Sequence, residues 1–416
     1  MAQIKEALAE FNPWWNDRFS LNYKPREIYE TLNKFIDSPQ IIALSGLRRV
    51  GKTTLMLKFV EDFLEKIEKQ RILFFSFDEF KNVSLREVIK EYEVLMNQDT
   101  TKGKFLFLFD EIQKLNDWEN QIKTLYDIHK DKIKIIISGS ESLFIRKQAR
   151  ESLAGRIFDF KINTLTFKEF LKFKEFDLKN VELQARDLAR LFEEYRKTGG
   201  FSELVNVQDK DFLIKYLKEG IIDRIVFRDI PSSFKIEDVE KLRALMNIIQ
   251  EEPGQVLESS KLAKELGISR QTVSNYLGYL EDSFLIKKLY NCSKNRRKTE
   301  RKLKKYYPCV FSQDLLFKQD ELSDSKLFEC LIVNQLNAEF FWRDNYKNEV
   351  DIVLFEKEKV IPIEVKSGAI NIKGMVRFLE SEKIKEGTII SKNIEDKRIE
   401  DNFTINILPA WKFLAR

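Results

Sequence analysis

Lys52 and Thr53 close the stretch Gly46-Leu47-Arg48-Arg49-Val50-Gly51-Lys52-Thr53, with Thr54 next. Two glycines at this spacing let the backbone curl until successive N–H groups face one point, which suits phosphate oxygens. The lysine would reach the β- and γ-phosphates of ATP, and the Thr53 hydroxyl would hold Mg²⁺. The whole stretch Gly46, Leu47, Arg48, Arg49, Val50, Gly51, Lys52, Thr53 and Thr54 is assigned to the nucleotide. Downstream, Asp110-Glu111 ends the apolar run Phe105-Leu-Phe-Leu-Phe109. A carboxylate at the end of a strand buried on both faces would hold Mg²⁺ through water, here Asp110. Glu111 would orient or deprotonate the attacking water. Ser138 or Ser140, closing the next apolar run, either approaches the γ-phosphate or caps a turn. Arg156 either neutralises γ-phosphate charge, in cis or across a subunit interface, or sits in a structural salt bridge.

A second constellation lies near the C-terminus. Asp351, Glu364 and Lys366 have the spacing D-x12-E-x-K. Glu364 and Lys366 share one face of a strand, and Asp351 on a neighbouring strand can point at the same spot. Two carboxylates there, Asp351 and Glu364, would bind Mg²⁺, and Lys366 would act on water against a phosphodiester. Glu329, on a preceding helix, would complete the shell. The bland alternative is a solvated face, but Glu364 stands between Ile363 and Val365.

A third set, Ser269, Arg270, Gln271, Thr272 and Asn275, opens a helix that follows Ser259–Leu266 and a turn at Gly267. Helix, tight turn and helix of this size form a helix-turn-helix signature, and these side chains suit groove edges and phosphates of duplex DNA. The competing use is as a packing module that reads no sequence.

The positioning elements follow from hydrophobic pattern. Short apolar runs at 40–45, 71–77, 104–109 and 132–137 alternate with helical spacing, which predicts a parallel sheet with helices on both faces. Residues 166–231 turn helical and charged, as a lid or subdomain. Residues 349–355 and 360–366 predict a hairpin. The expected organisation is a P-loop ATPase core at 1–160, a helical lid at 161–235, a winged helix-turn-helix at 236–290 and an α/β, restriction-endonuclease-like domain at 291–416.

The chain has 416 residues, 33% charged and 43% hydrophobic, as a soluble globular protein does. Its net charge of +5 is too small to argue for nucleic acid, but ten Lys or Arg and one acid fall between Lys287 and Lys305. The positive field is concentrated there. Three cysteines without C-x-x-C pairing fit a reducing cytoplasm, and a single histidine, His129, argues against zinc. No apolar run approaches the ~20 residues that span a bilayer, and the N-terminus does not read as a signal peptide.

Together these stretches resemble a family of prokaryotic AAA-like ATPases that join a P-loop domain to a winged helix and a C-terminal domain similar to PD-(D/E)xK nucleases. The resemblance rests on Gly46–Thr54, Asp110-Glu-Ile-Gln113 with Trp118, Ile137-Ser-Gly-Ser140, Leu153-Ala-Gly-Arg156, Gly199-Gly-Phe201, the helix-turn-helix, Glu349-Val-Asp351, Ile363-Glu-Val-Lys366 and the closing Ile407–Leu414. Ser202 departs from it, where that family often has proline. The resemblance implies ATP binding at Lys52 and Thr53, hydrolysis through Asp110 and Glu111, and a γ-phosphate role for Arg156. The expectation is a cytoplasmic, Mg²⁺-dependent ATPase acting on or near duplex DNA, without membrane contact. Its C-terminal domain either cuts nucleic acid or serves as an inert platform in a nucleotide-dependent switch. A third reading is a remodelling ATPase whose winged helix docks proteins. The oligomeric state stays open, a homo-oligomer being compatible with Arg156 acting in trans.

Overall fold

Five runs of Ile, Leu and Phe make the first sheet. They are β1 (Ile41–Ser45), β2 (Ile72–Ser76), β3 (Phe105–Asp110), β4 (Ile133–Gly139) and β5 (Ile157–Lys161). The order is β2-β3-β4-β1-β5, and every pair is parallel. β1 and β3 are buried along their whole length, which explains why their sequences run apolar rather than alternate. The computed structural model describes residues 2–80, 82–140, 151–293, 304–357, 359–400 and 402–416.

Because all five strands run the same way, their carboxyl ends share one edge. That edge carries Ser45 with the following glycine loop, Asp110, and Ser138 to Ser140. Open α/β sheets bind ligands at this edge. The helix Lys52–Leu64 leaves the loop there and buries Leu55, Met56, Phe59 and Val60, one stripe at helical spacing. Trp14 and Trp15 are buried, with both indole N–H groups donated to the Ile72 carbonyl, so they pack rather than face solvent. These elements belong to one compact unit, Met1–Asn163.

The second unit is Thr164–Arg416. Its spine is a nine-stranded sheet of β6 (Gln255–Val256), β7 (Ile286–Asn291), β8 (Lys304–Pro308), β9 (Phe340–Arg343), β10 (Glu349–Glu356), β11 (Lys359–Lys366), β12 (Glu386–Ser391), β13 (Asp396–Glu400) and β14 (Phe403–Pro409). The order is β13-β14-β12-β11-β10-β9-β7-β8-β6. The expected hairpin is β10 against β11, antiparallel. β8 pairs antiparallel with β7, and β7 pairs parallel with β9, so one sheet runs from the helix-turn-helix region into the C-terminal residues. The helices read from sequence as a lid share this unit's core. Phe167, Phe170, Phe192 and Tyr195 join one apolar cluster with Tyr307, Phe328 and Trp411.

Helix Ser259–Leu266 ends on Gly267 in the left-handed region (φ 65°), and Ser269 caps helix Arg270–Asp282 by accepting the Thr272 N–H. Residues 294–303, most of the basic run, lie outside the described residues. Among the described residues no helix is long and apolar enough to cross a membrane.

Candidate nucleotide site and a second carboxylate cluster

The glycine loop is built as the spacing predicts. Gly46 has φ 150°, and a Cβ there would stand 2.3 Å from the Ile162 carbonyl oxygen, so any side chain displaces the backbone of the segment after β5. Gly51 turns the chain into the helix at φ 92°. Lys52 is 5% exposed, and its ammonium donates to the carbonyls of Gly46 (2.9 Å) and Leu47 (2.8 Å). It spans its own loop, holding neutral acceptors that a phosphate oxygen would outcompete. Leu47 and Val50 are buried beneath the loop, whereas Arg49, Thr53 and Thr54 are exposed. Arg48 lies 4.0 Å from Asp78. Arg26 braces the loop from behind, donating to Val50 (2.9 Å) and Asn163 (2.9 Å) carbonyls. Nothing in the local sequence around Arg26 announces that role.

At the neighbouring strand ends, the Thr53 hydroxyl donates to Asp110 Oδ2 at 2.8 Å. Ser138 Oγ donates to the other Asp110 oxygen. Burial first, then the charge of Glu111, pushes Asp110 above the usual carboxylate range. Two hard oxygen donors and a buried carboxylate seeking positive charge fit Mg²⁺, which favours one or two carboxylates plus water and substrate phosphates. Thr53 and Asp110 would hold it, and it would supply charge neutralisation at the phosphates.

Glu111 sits in the left-handed region at φ 53°. Its carboxylate oxygen Oε2 accepts from Gln113 Nε2 at 2.6 Å and from Ser140 Oγ at 3.0 Å, and Gln113 also donates to Ser140 at 3.0 Å. Lys52, Thr53, Asp110, Glu111, Ser138 and Ser140 are thus gathered at one edge. Gln113 was visible in the Asp110–Gln113 stretch but carried no role, because two residues past a strand end its direction depends on the turn at Glu111.

Arg156 is not brought to this edge. Its carbonyl accepts the Ile41 N–H, at the amino end of β1, and its guanidinium pairs with Asp127 at 2.8 Å. The length of β1, about 13 Å at 3.3 Å per residue, separates it from the loop. The salt-bridge reading describes it within the chain, and a γ-phosphate role in cis has no geometric support.

The C-terminal constellation converges in the second unit. Asp351 Oδ2 accepts the Val365 N–H at 2.9 Å, and Lys366 Nζ lies 2.7 Å from Glu364 Oε1. Glu329 reaches the same place from helix Glu321–Gln335. The residue that sequence reading missed is Lys305. Its ammonium lies 2.5 Å from Glu349 Oε1, 3.2 Å from Glu329 Oε1 and 3.6 Å from Asp351 Oδ1, at 5% exposure. Tyr307, two residues on, donates to Glu329 Oε1 at 2.6 Å. In sequence Lys305 is the last cation of a basic run. Its alternation with Tyr307 along an apolar strand was the available signal.

Burial alone would lower the Lys305 ammonium, but Glu329, Tyr307, Asp351 and Glu349 hold it well above the usual lysine range. Burial and Asp351 push Glu329 up, since one ammonium does not neutralise three carboxylates. Burial pushes Glu364 up to about 7 against the pull of Lys366. The expected Mg²⁺ at Asp351 and Glu364 does not fit. A cation already stands among the carboxylates, and among the described residues no three His, Cys, Asp or Glu side chains are grouped as a metal ion needs.

Ser269, Arg270, Gln271 and Asn275 are exposed, and Thr272 is partly so. Val273, Tyr276, Leu277 and Leu280 bury the other face of that helix. Gln271 donates to Asn275 at 3.0 Å, and the hydroxyls of Ser269 and Thr272 are 2.8 Å apart.

Residues 38–171 match the family model of an AAA domain. The first unit carries an AAA-type P-loop domain. Residues 189–309 and 325–413 match two domains of unknown function (DUF8612 and DUF4143). An uncharacterised protein of Methanocaldococcus jannaschii is 27% identical over 427 residues, covering 95% of this chain and 93% of that protein. An uncharacterised protein of Haemophilus influenzae is 31% identical over 274 residues, 63% of this chain and 66% of that one. Among solved structures, a DNA polymerase III gamma subunit-related protein of Thermotoga maritima aligns over 62% of this chain and all of that one, at 12% identity and TM-score 0.28, too slight a likeness to carry an argument.

Proposed function

We propose that this chain is a Mg²⁺-dependent ATPase that acts on or near duplex DNA. The observation that carries the hydrolytic part is the set of contacts at the AAA domain's carboxyl edge. Lys52 spans a phosphate-shaped loop, Thr53 and Asp110 share a hydrogen bond where a cation would sit, and Glu111 is held by Gln113 and Ser140. In this reading Lys52 leaves its two carbonyls for the phosphates. Glu111 then takes the proton of the attacking water or orients it, and Ser140 and Gln113 fix its carboxylate for that task.

The DNA part rests on the second unit. We read helices Ser259–Leu266 and Arg270–Asp282 with β6, β7 and β8 as a winged helix-turn-helix. Its exposed face of Ser269, Arg270, Gln271, Thr272 and Asn275 has the side chains that contact phosphates and base edges. The concentration of Lys and Arg between 287 and 305 supports the same partner. We read β9–β14 with helix Glu321–Gln335 as the nuclease-like module. The lysine inside its carboxylate cluster favours a holding role over cutting, and so a nucleotide-dependent DNA-binding switch. Cys292, Cys309 and Cys330 are thiols rather than disulfides, which suits the reducing cytoplasm in which this work would be done.

The test is ATP hydrolysis by the full chain and by Glu111→Gln, with Mg²⁺, with and without duplex DNA. Hydrolysis that DNA accelerates, and that the variant loses while still binding ATP, is the expected result. A rate indifferent to DNA, together with binding that salt does not weaken, would turn the helix-turn-helix into a protein-docking module.

A further inference from the structure

We propose that the Lys305 ammonium is the resident cation of the C-terminal carboxylate cluster, standing where a nuclease of this plan would hold a divalent metal, so that the cluster takes none. The inference rests on reading β9–β14 as nuclease-like.

Three carboxylates from two elements meet at one ammonium. Glu329 comes from a helix, and Glu349 and Asp351 come from the same face of β10. They converge at 2.5 to 3.6 Å on a buried atom, the side chain being 6% exposed. Its ammonium also lies over the Phe341 ring, with Nζ 5.4 Å from the centroid. A buried ammonium persists only when it is paired and hydrogen-bonded, and this one is paired three ways. The acceptors a metal needs are already used. Asp351 gives one oxygen to the Val365 N–H and turns the other to Lys305. Glu329 Oε1 serves both Lys305 and Tyr307. Glu364 gives Oε1 to Lys366, and its buried Oε2 has no hydrogen-bond partner. A buried lone oxygen at the far end of the cluster from Lys305 is a poor start for a divalent site.

Lys305 also does what a bound metal cannot. It is carried on β8, the strand that pairs with β7 next to the helix-turn-helix. Its ion pairs therefore fasten that strand to β10 and to helix Glu321–Gln335. The charge that would have served cleavage instead joins the helix-turn-helix to the module beside it. The domain becomes a fixed platform, and its fold does not wait on metal.

The experiment is Mn²⁺ binding, read from the electron paramagnetic resonance signal of free Mn²⁺, on the nucleotide-free full chain. Wild type, Asp351→Asn, Lys305→Met and the double variant Lys305→Met/Asp351→Asn are compared. Wild type and Asp351→Asn are expected to bind the same amount of Mn²⁺. Lys305→Met is expected to gain one Mn²⁺ per chain, which the double variant loses. A wild-type Mn²⁺ site that Asp351→Asn removes would overturn the proposal. So would a folded Lys305→Met that gains no site, since Lys305 would then not be what excludes the metal. If Lys305→Met does not fold, the comparison of wild type with Asp351→Asn decides. Absence of nucleotide keeps the result independent of the ATPase reading. A divalent-dependent cut in duplex DNA that Asp351→Asn abolishes would make the domain a working nuclease, whereas a chain that neither binds Mn²⁺ there nor hydrolyses ATP would fail the ATPase reading alone.

Discussion

The two units each bury a lysine beside acidic residues, but the lysines lean on different partners. Lys52 leans on two backbone carbonyls, which are neutral. Lys305 leans on three carboxylates. A neutral acceptor is surrendered to an arriving phosphate at small cost, so Lys52 stays available for a ligand. A charged acceptor is not surrendered, because removing one member of a buried ion pair leaves the others uncompensated. In the proposed reading the same residue type is thus a ligand-binding group at one site and a structural one at the other. The carboxylates differ to match. Asp110 accepts from the Thr53 and Ser138 hydroxyls, and Asp351 faces an ammonium.

The largest effect that separates the sites is catalytic. Glu111→Gln should lower the ATP turnover number by about 10²–10⁴-fold, the usual span for losing a general base, with ATP affinity kept. Asp351→Asn and Glu364→Gln should leave turnover within about twofold, since the two carboxylates belong to the other unit. Steady-state hydrolysis with parallel nucleotide-binding measurements checks both. Equal losses in both sets would dissolve the contrast.

Next in size is stability. Lys305→Met should cost about 3–5 kcal/mol in denaturant unfolding of the second unit, the range for breaking a buried charge cluster by removing one partner. Adding Glu349→Gln should restore part of that, because the closest orphaned charge, 2.5 Å from the lost ammonium, goes with it. Lys52→Met should destabilise less, since the two acceptors its ammonium leaves behind, the carbonyls of Gly46 and Leu47, are neutral.

The pH dependence gives a third separation. Glu364 is raised from 4.5 to about 7 in the folded chain. The folded state therefore holds a proton that the unfolded state has already released between those values. Stability should fall as pH rises through that window and then level off, by at most about 3.5 kcal/mol at roughly 1.4 kcal/mol per unit. Glu364→Gln should flatten that part of the curve. Unfolding midpoints measured from pH 4 to 8 in both proteins decide it, and a wild-type curve that rises through the window would place the proton elsewhere.

How much of this was legible from residue order depends on how local each feature is. The glycine loop, β3 with Asp110 and Glu111, and the β10–β11 pair were all readable, because each is one turn or one strand whose pattern lies in consecutive residues. That Asp351 would lie beside the strand of Glu364 and Lys366 was legible for the same reason, since side chains alternate along adjacent strands. Lys305 was not readable as a partner of Glu349. Forty-four positions separate them, and only the crossing from β8 through β7 and β9 to β10 brings them together. Arg156 shows the converse. Its motif neighbourhood suggested the phosphates, but β5 starts where it ends, which fixes it at the amino edge.

The smallest effect tests whether the exposed helix face does chemistry or only packs. Arg270 is the exposed cation in the first turn of helix Arg270–Asp282. If it meets a DNA phosphate, Arg270→Ala should weaken binding by about tenfold on every duplex sequence. It should also reduce the slope of log affinity against log salt by about one, the signature of one fewer counterion released. If it meets a base edge, the loss should instead fall on some sequences and spare others, with the salt slope nearly unchanged. Fluorescence anisotropy on two unrelated duplexes across a salt series separates the outcomes. An unchanged affinity on both would leave the helix-turn-helix as a docking surface, and the contrast between the units would then be between a nucleotide site and a purely structural one.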